Sequence, residues 1–375
     1  MIVVLNVGGI IDTQFMHEIK GLDSLLVMSN AGMESGNALA DVLTGKVTPS
    51  GKLTDTWAKD YSDYASAGTF GADDGDTLEE VYEDGIYVGY RYFDSFDIDP
   101  EYEFGYGDSY TDFDIKVNSV KADAKKVTTN VTVTNTGKKY SGKEVVQVYF
   151  SAPDGSIEKP YQELAGYAKT DNLAPGEKQT LTISYNTTEM SSYDEAKAAY
   201  VMEAGKYIVR VGNSSRNTKA SAVIRLNKKV TTEQLSNQLV PEEKIDEMTR
   251  KGQDCYQSPT EAKDLKEAVK INLNGNKIKK LNNASEYDDE SVTTYTTDKD
   301  YQAKSKEELG YEEKVKVVEE KDLKLQDVID GKGTMEEFVA QMSLEELANL
   351  NEGIGMGGFF GSAEPIVGAQ SDTVD

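Results

Sequence analysis

The run Ile2-Val3-Val4-Leu5-Asn6-Val7 is apolar at all but one position, the pattern of a strand covered on both faces. Phe15, Ile19 and Leu22 follow at helical spacing, and Leu25-Leu26-Val27-Met28 is a second apolar run. Gly32 to Gly36 form a flexible loop. Beyond it Ala38, Leu39, Val42 and Leu43 share one helix face, with Gly45 placed to end the helix. Strands alternating with helices over 1–60 predict a parallel, doubly wound sheet. Two strands are too few for such a sheet to stand alone, so the expectation is that it continues upstream.

The pattern then changes. Residues 61–113 are rich in tyrosine, phenylalanine and glycine with little periodicity, which predicts an extended connector that packs its rings on neighbouring domains. Over 114–226 short alternating runs recur at Ile115–Val120, Val127–Thr134, Glu144–Phe150, Gln179–Tyr185, Gly205–Val211 and Ser221–Leu226. Asn135-Thr136-Gly137, Pro153-Asp154-Gly155 and Pro175-Gly176 supply turns between them, so an all-β sandwich is expected. Residues 227–330 are polar and mixed in charge, with weak helical signals at Pro241–Gly252 and Ser258–Val269; they read as a linker or insertion. Order returns at 331–350. There Thr334 with Glu337, and Ser343 with Glu346, form two capping boxes ahead of apolar helix faces, and a glycine-rich loop from Gly353 to Gly361 follows.

Composition narrows the function. Among 375 residues, 66 are acidic and 40 basic, a formal charge of -26 that disfavours nucleic acid and anionic membrane as partners but leaves a neutral carbohydrate open. One cysteine, Cys255, excludes an internal disulfide. It fits a reducing compartment as well as a secreted bacterial protein, with the cytoplasm favoured of the two. A single histidine, His17, excludes a His-rich metal site, and no metal or other cofactor is expected. No apolar run reaches the ~18 residues of a membrane span. The first residues lack the basic start and small-residue cleavage site of a signal peptide. Nothing in the pattern fixes an oligomeric state.

Three features are candidates for chemistry. Gly32-Met33-Glu34-Ser35-Gly36 lies between a strand and a helix N-terminus, where open parallel sheets bind ligands and free N–H groups can hold an oxygen-rich molecule. Met33 and Glu34 are therefore substrate-contact candidates; the competing reading is that Glu34 only favours the helix dipole and the glycines only permit the turn. Gly8 and Gly9 end the first strand, so both loops should border one crevice. The Gly353 loop lacks the lysine signature of a phosphate loop and reads as structural. The aromatic stretch with Arg91 either stacks on sugars or packs between domains, the second being favoured. His17 has no catalytic partner in sequence, Cys255 has no reactive context, and Trp57 is expected to anchor the last segment of the sheet domain. No catalytic pair follows from spacing.

The motifs, taken in order, carry a resemblance. They begin with Ile2 to Gly8, Gly32-Met33-Glu34-Ser35-Gly36-Asn37-Ala38-Leu39-Ala40-Asp41-Val42-Leu43-Thr44-Gly45 and Pro49-Ser50-Gly51-Lys52-Leu53. Val81 to Phe93, Phe104 to Phe113, Lys159 to Tyr167 and Val211 to Ser215 follow. Over 1–226 this succession resembles glycoside hydrolases of family 3. The resemblance implies the C-terminal part of an α/β-sandwich domain at 1–60, the connector at 61–113 and a fibronectin type III-like domain at 114–226. After the polar linker at 227–330, Met342 to Ala348 looks like the opening helix of a TIM barrel, making 331–375 the start of that domain in reversed order. Such enzymes are retaining, with an Asp nucleophile on a barrel strand and a Glu acid/base from the sheet domain; β-glucosidase-type members remove terminal β-D-glucosyl residues from oligosaccharides. Neither matching position occurs in this sequence, so no catalytic residue is assigned and the chain alone is expected to be inactive. Asp375 stops where the family's sugar-binding Asp would fall. The competing function is a non-catalytic carbohydrate-binding or cell-surface sandwich module.

Overall fold

The computed structural model describes residues 1–70, 81–237, 244–281 and 323–342. Two compact units divide the chain, Met1–Val292 and Thr293–Asp375.

The first unit opens with β1 (Ile2–Leu5), α1 (Phe15–Glu18), β2 (Ser24–Val27) and α2 (Ser35–Leu43). β1 and β2 pair in parallel with Ile2 opposite Ser24 and Leu5 opposite Val27. The strand–helix–strand–helix order is as the pattern predicts. Burial is not: only Leu5 is buried, and Ile2 is 51% exposed. A two-stranded parallel sheet has too few neighbours to cover an apolar strand. The predicted first helix shortens to a single turn, because Ile19 turns extended behind Glu18.

Within the aromatic stretch, Tyr90–Ser95 form α3, entered through Gly89 at φ 57°. It has fewer than two turns, too short to show a helical period in sequence. Its rings pack edge-on rather than pointing outward: Tyr64 meets Phe93 at 5.9 Å, Tyr87 meets Phe96 at 5.0 Å, and Tyr90 meets Tyr149 at 5.8 Å. Tyr90 thus packs on a residue of the following β-rich segment, the other two pairs close the connector on itself, and Trp57 ties the preceding segment to it. Its backbone pairs with Tyr102 and its buried ring stands edge-on to the Tyr102 ring at 6.5 Å.

The sandwich has one three-stranded antiparallel sheet of β3 (Phe113–Ala122), β4 (Lys126–Asn135) and β7 (Lys178–Asn186), in the order β3-β4-β7. The facing sheet contains β5 (Val145–Ser151), β6 (Glu163–Lys169), β10 (Gly205–Gly212), β11 (Thr218–Leu226) and β13 (Val269–Leu273), in the order β13-β11-β10-β5-β6. A small third sheet joins β8 (Ser192–Asp194), β9 (Ala199–Met202) and β12 (Val230–Gln234). β4 shows why the pattern works: Val127, Val131 and Val133 enter the core, while Thr128, Asn130 and Thr132 face out and hydrogen-bond across to Ser184, Thr182 and Thr180. Each wholly buried valine contributes about 1.5–3 kcal/mol.

β5 is buried on both faces. Val146, Val148 and Phe150 enter the sandwich core. Gln147 and Tyr149 point the other way, where Gln147 donates to the Asn213 carbonyl at 2.8 Å and Tyr149 lies under the connector ring of Tyr90. The sandwich therefore uses the outer face of its larger sheet as a platform.

The polar stretch from 227 differs most from its sequence reading. Residues 244–252 carry no helix, whereas α4 (Glu261–Glu267) falls inside the second helical signal. β13 then adds in parallel to β11, with Ile271 opposite Ile224 and Leu273 opposite Leu226. Leu273 and Ile278 belong to the sandwich core. So the described part of this segment is a strap over the platform, not a free linker. Its few apolar side chains face inward one at a time among lysines and asparagines, which hides them from any compositional average.

In the second unit, α5 (Leu325–Ile329) and α6 (Met335–Ala340) are described. The capping box at Thr334 forms as predicted: Glu337 N donates to Thr334 Oγ1 at 3.2 Å, and Thr334 N donates to Glu337 Oε2 at 3.1 Å. The second predicted box at Ser343, the glycine-rich loop from Gly353, and Asp375 lie outside the described residues.

Candidate functional site

The carboxyl ends of β1 and β2 lead into Gly8-Gly9 and Ser29, which border an open cavity of about 980 Å³. Its walls also carry His17, Trp57, Tyr102 and Tyr106. Glu101 pairs with His17 at 3.2 Å, and Asp108 accepts from the Tyr106 hydroxyl at 3.0 Å. Burial and that carboxylate push the Tyr106 phenol up to about 12, which keeps it a donor. His17, which has no catalytic partner in sequence, is thus a wall group within hydrogen-bonding distance of Glu101.

The loop at Gly32–Gly36 does not share this cavity. Met33 is fully exposed, and Glu34 sits at the N-cap of α2 without bonding the helix amides. Its carboxylate instead accepts from Asn37 Nδ2 at 2.6 Å. The expectation of one crevice bordered by both loops therefore holds for Gly8-Gly9 and fails for Met33 and Glu34. What the loop does keep is a carboxylate and a thioether presented to solvent at the carboxyl end of β2.

The most tightly built polar constellation was not foreseen as one. Asp94, Gln162 and Arg216 meet from three stretches of the chain far apart in sequence. Arg216 Nε donates to Asp94 Oδ1 at 2.6 Å, and Gln162 Nε2 donates to Asp94 Oδ2 at 2.9 Å and to the Ser215 carbonyl at 2.8 Å. Arg216 also donates to the carbonyls of Phe93 and Ile98, and the Tyr256 ring covers its guanidinium at 3.9 Å. Asp94 is 1% exposed. Burial pushes its carboxyl up to about 6 in spite of Arg216 and Gln162. A group so enclosed has no access to substrate, so it acts as a knot that ties connector, sandwich and strap.

Two further ion pairs hold the same surface. Buried Arg210 pairs bidentately with Glu261 at 2.6 and 2.9 Å, under the Tyr161 ring at 4.8 Å. Lys159 pairs with Glu203, which also accepts from the Ser156 amide and hydroxyl at 3.0 and 2.8 Å. Burial alone would raise the Glu203 carboxyl, but Lys159 and Ser156 together hold it at about 2. A depressed folded value gives stability that is present above the ordinary carboxyl range and lost as pH falls toward about 2. Glu203→Gln should therefore flatten the acid limb of thermal stability below pH 4; an unchanged acid limb in a melting series would refute this. Asp94 has the opposite sign, because its ionisation costs stability as pH rises from about 4 to about 6.

Cys255 is half-buried, and burial pushes its thiol up, away from a reactive thiolate. Among the described residues no group of acids, histidine and cysteine is placed to hold a metal ion.

The profile of the Glycosyl hydrolase family 3 C-terminal domain matches residues 1–90, and that of the Fibronectin type III-like domain matches residues 144–215. Together with the relatives and structural neighbours, these matches support glycoside hydrolase family 3 as the family of this chain. It is 37% identical over 401 residues to beta-glucosidase A of Butyrivibrio fibrisolvens, covering 96% of this chain and 44% of that protein. A beta-glucosidase structure from Paenibacillus barengoltzii superposes with a TM-score of 0.62 at 34% identity, covering 95% of this chain and 37% of that one. Beta-glucosidase 3B from Thermotoga neapolitana, solved in complex with alpha-D-glucose, superposes with a TM-score of 0.56 at 42% identity over 61% of this chain and 31% of that one. The chain thus spans less than half the length of each of these relatives.

Family membership gives the knot its meaning. Asp94 and Arg216 directly follow two of the segments that carry the family likeness, Val81–Phe93 and Val211–Ser215, and Gln162 lies within a third, Lys159–Tyr167. The clue lay in polar residues within and just beyond these segments, which a reading for core or catalysis passes over.

Proposed function

We propose that the protein to which these residues belong is a retaining, exo-acting β-glucosidase that hydrolyses terminal β-D-glucosyl residues of oligosaccharides. These 375 residues serve in it as scaffold. The observation that carries this reading is the succession of family segments, three of which contain or lead into the residues of one buried knot, in a chain whose similar relatives include beta-glucosidases. The retaining reaction needs two carboxyl groups about 5–5.5 Å apart across the glycosidic bond. This chain has no residue matching the family's nucleophile or acid/base motifs, so those groups come from elsewhere in the protein.

In this reading residues 1–60 belong to the α/β-sandwich domain, 114–226 to the fibronectin type III-like domain, and 331–375 to the opening of a barrel. Glu34 and Met33, exposed at the carboxyl end of β2, are assigned to contact with the sugar. Asp375 is assigned to hydroxyls of the terminal glucose. The purified chain should not turn over an aryl β-glucoside above a buffer control. Turnover that survives repurification and scales with chain concentration would overturn the reading.

A further inference from the structure

The outer face of the five-stranded sheet is covered by the connector at one end and by the strap in the middle. At the remaining end, beside α4, it is open as a cleft of about 480 Å³. The cleft is lined by Lys206, Arg225 and Lys270 over a floor that includes Ile208, Val223 and Leu265. Among the described residues no carboxylate lines it, in a chain where acidic residues outnumber basic ones by 66 to 40. Lys206 and Arg225 stand directly opposite each other on β10 and β11. Like charges in that arrangement repel. The acids of neighbouring α4 are engaged elsewhere: Glu261 with Arg210, Asp264 with Thr260 and Lys219, and Glu267 with Lys219.

We propose that this cleft docks an extended, acidic segment of a partner protein, with carboxylates on Lys206, Arg225 and Lys270 and aliphatic side chains on Ile208, Val223 and Leu265. Charge complementarity selects an anion. The floor selects its kind: it has aliphatic side chains and no aromatic ring, which suits the side chains of a peptide better than the faces of a sugar. Carboxylates at alternate positions of that peptide share one face, as the basic side chains on these strands do.

The test uses the whole chain and a fluorescein-labelled peptide of alternating glutamate and valine. Anisotropy should report binding that weakens with salt and is about tenfold weaker in the double variant K206E/R225E, a change of about 1.4 kcal/mol. K206Q/R225Q, which adds no new charge, should show a smaller loss in the same direction. Both side chains are exposed, so melting temperatures should stay at the parent value. Equal binding of a lysine–valine peptide, or unchanged affinity in both variants, would overturn the proposal. So would binding of polygalacturonate with none of the acidic peptide. A shift from dimer to monomer in the variants on sedimentation would also overturn it, by showing that a second copy occupies the cleft.

Discussion

Arg216→Ala should lower the melting temperature of the chain by about 10 °C. The guanidinium lies between a carboxylate that is 1% exposed and the ring of Tyr256, and it also satisfies the carbonyls of Phe93 and Ile98. Removing one partner of a buried ion pair leaves an uncompensated charge and costs about 3–5 kcal/mol. At about 2–4 °C per kcal/mol for a domain of this size, the shift is of that order. The loss should also depend on pH. Without Arg216 the Asp94 carboxyl rises above its present value of about 6, so ionising it near neutrality costs more than in the parent. The difference between variant and parent should therefore be larger at pH 7 than at pH 4.5. Calorimetry at the two pH values gives both readings. A loss below about 1 kcal/mol, equal at both, would mean that the knot is not a structural tie.

The same knot explains which parts of the molecule the sequence discloses. The strands β3, β4, β5, β7, β10 and β11 are legible because apolar and polar positions alternate along them and the two faces meet different environments. β6 is not legible, since Leu164-Ala165-Gly166-Tyr167-Ala168 has no clear alternation and Gly166 packs its bare backbone near Ile183. β12 and β13 are hidden by polar neighbours and are fixed by pairing to strands far away in sequence. Motif order discloses the family but not the convergence of Asp94, Gln162 and Arg216. That convergence is tertiary: positions 68 and 122 residues from Asp94 meet it only after the sandwich has closed. The loop at Met33 and Glu34 is legible as a loop, yet whether its side chains turn inward depends on neighbours that a two-stranded sheet does not provide.

Gly212→Ala should be the more damaging of the mildest-looking changes in the sandwich, costing about 3 kcal/mol. Gly212 closes β10 opposite Thr218, at the mouth of the turn that carries Asn213 to Asn217. A methyl group there would run into the Asn217 carbonyl, with its carbon 2.7 Å away and the Thr218 Cα 2.8 Å away. Both are backbone atoms of the paired strand, so no side chain can swing aside. The hairpin must open instead, which disturbs the Asn213 carbonyl held by Gln147 and the Ser215 carbonyl held by Gln162. The damage therefore reaches the knot through the backbone, while leaving every charged group in place. Amide exchange should show lost protection at the facing ends of β10 and β11 and in the connector at 93–98, with the β3-β4-β7 sheet retaining its protection. Parent-like exchange in the connector would separate the turn from the knot and sink the link between them.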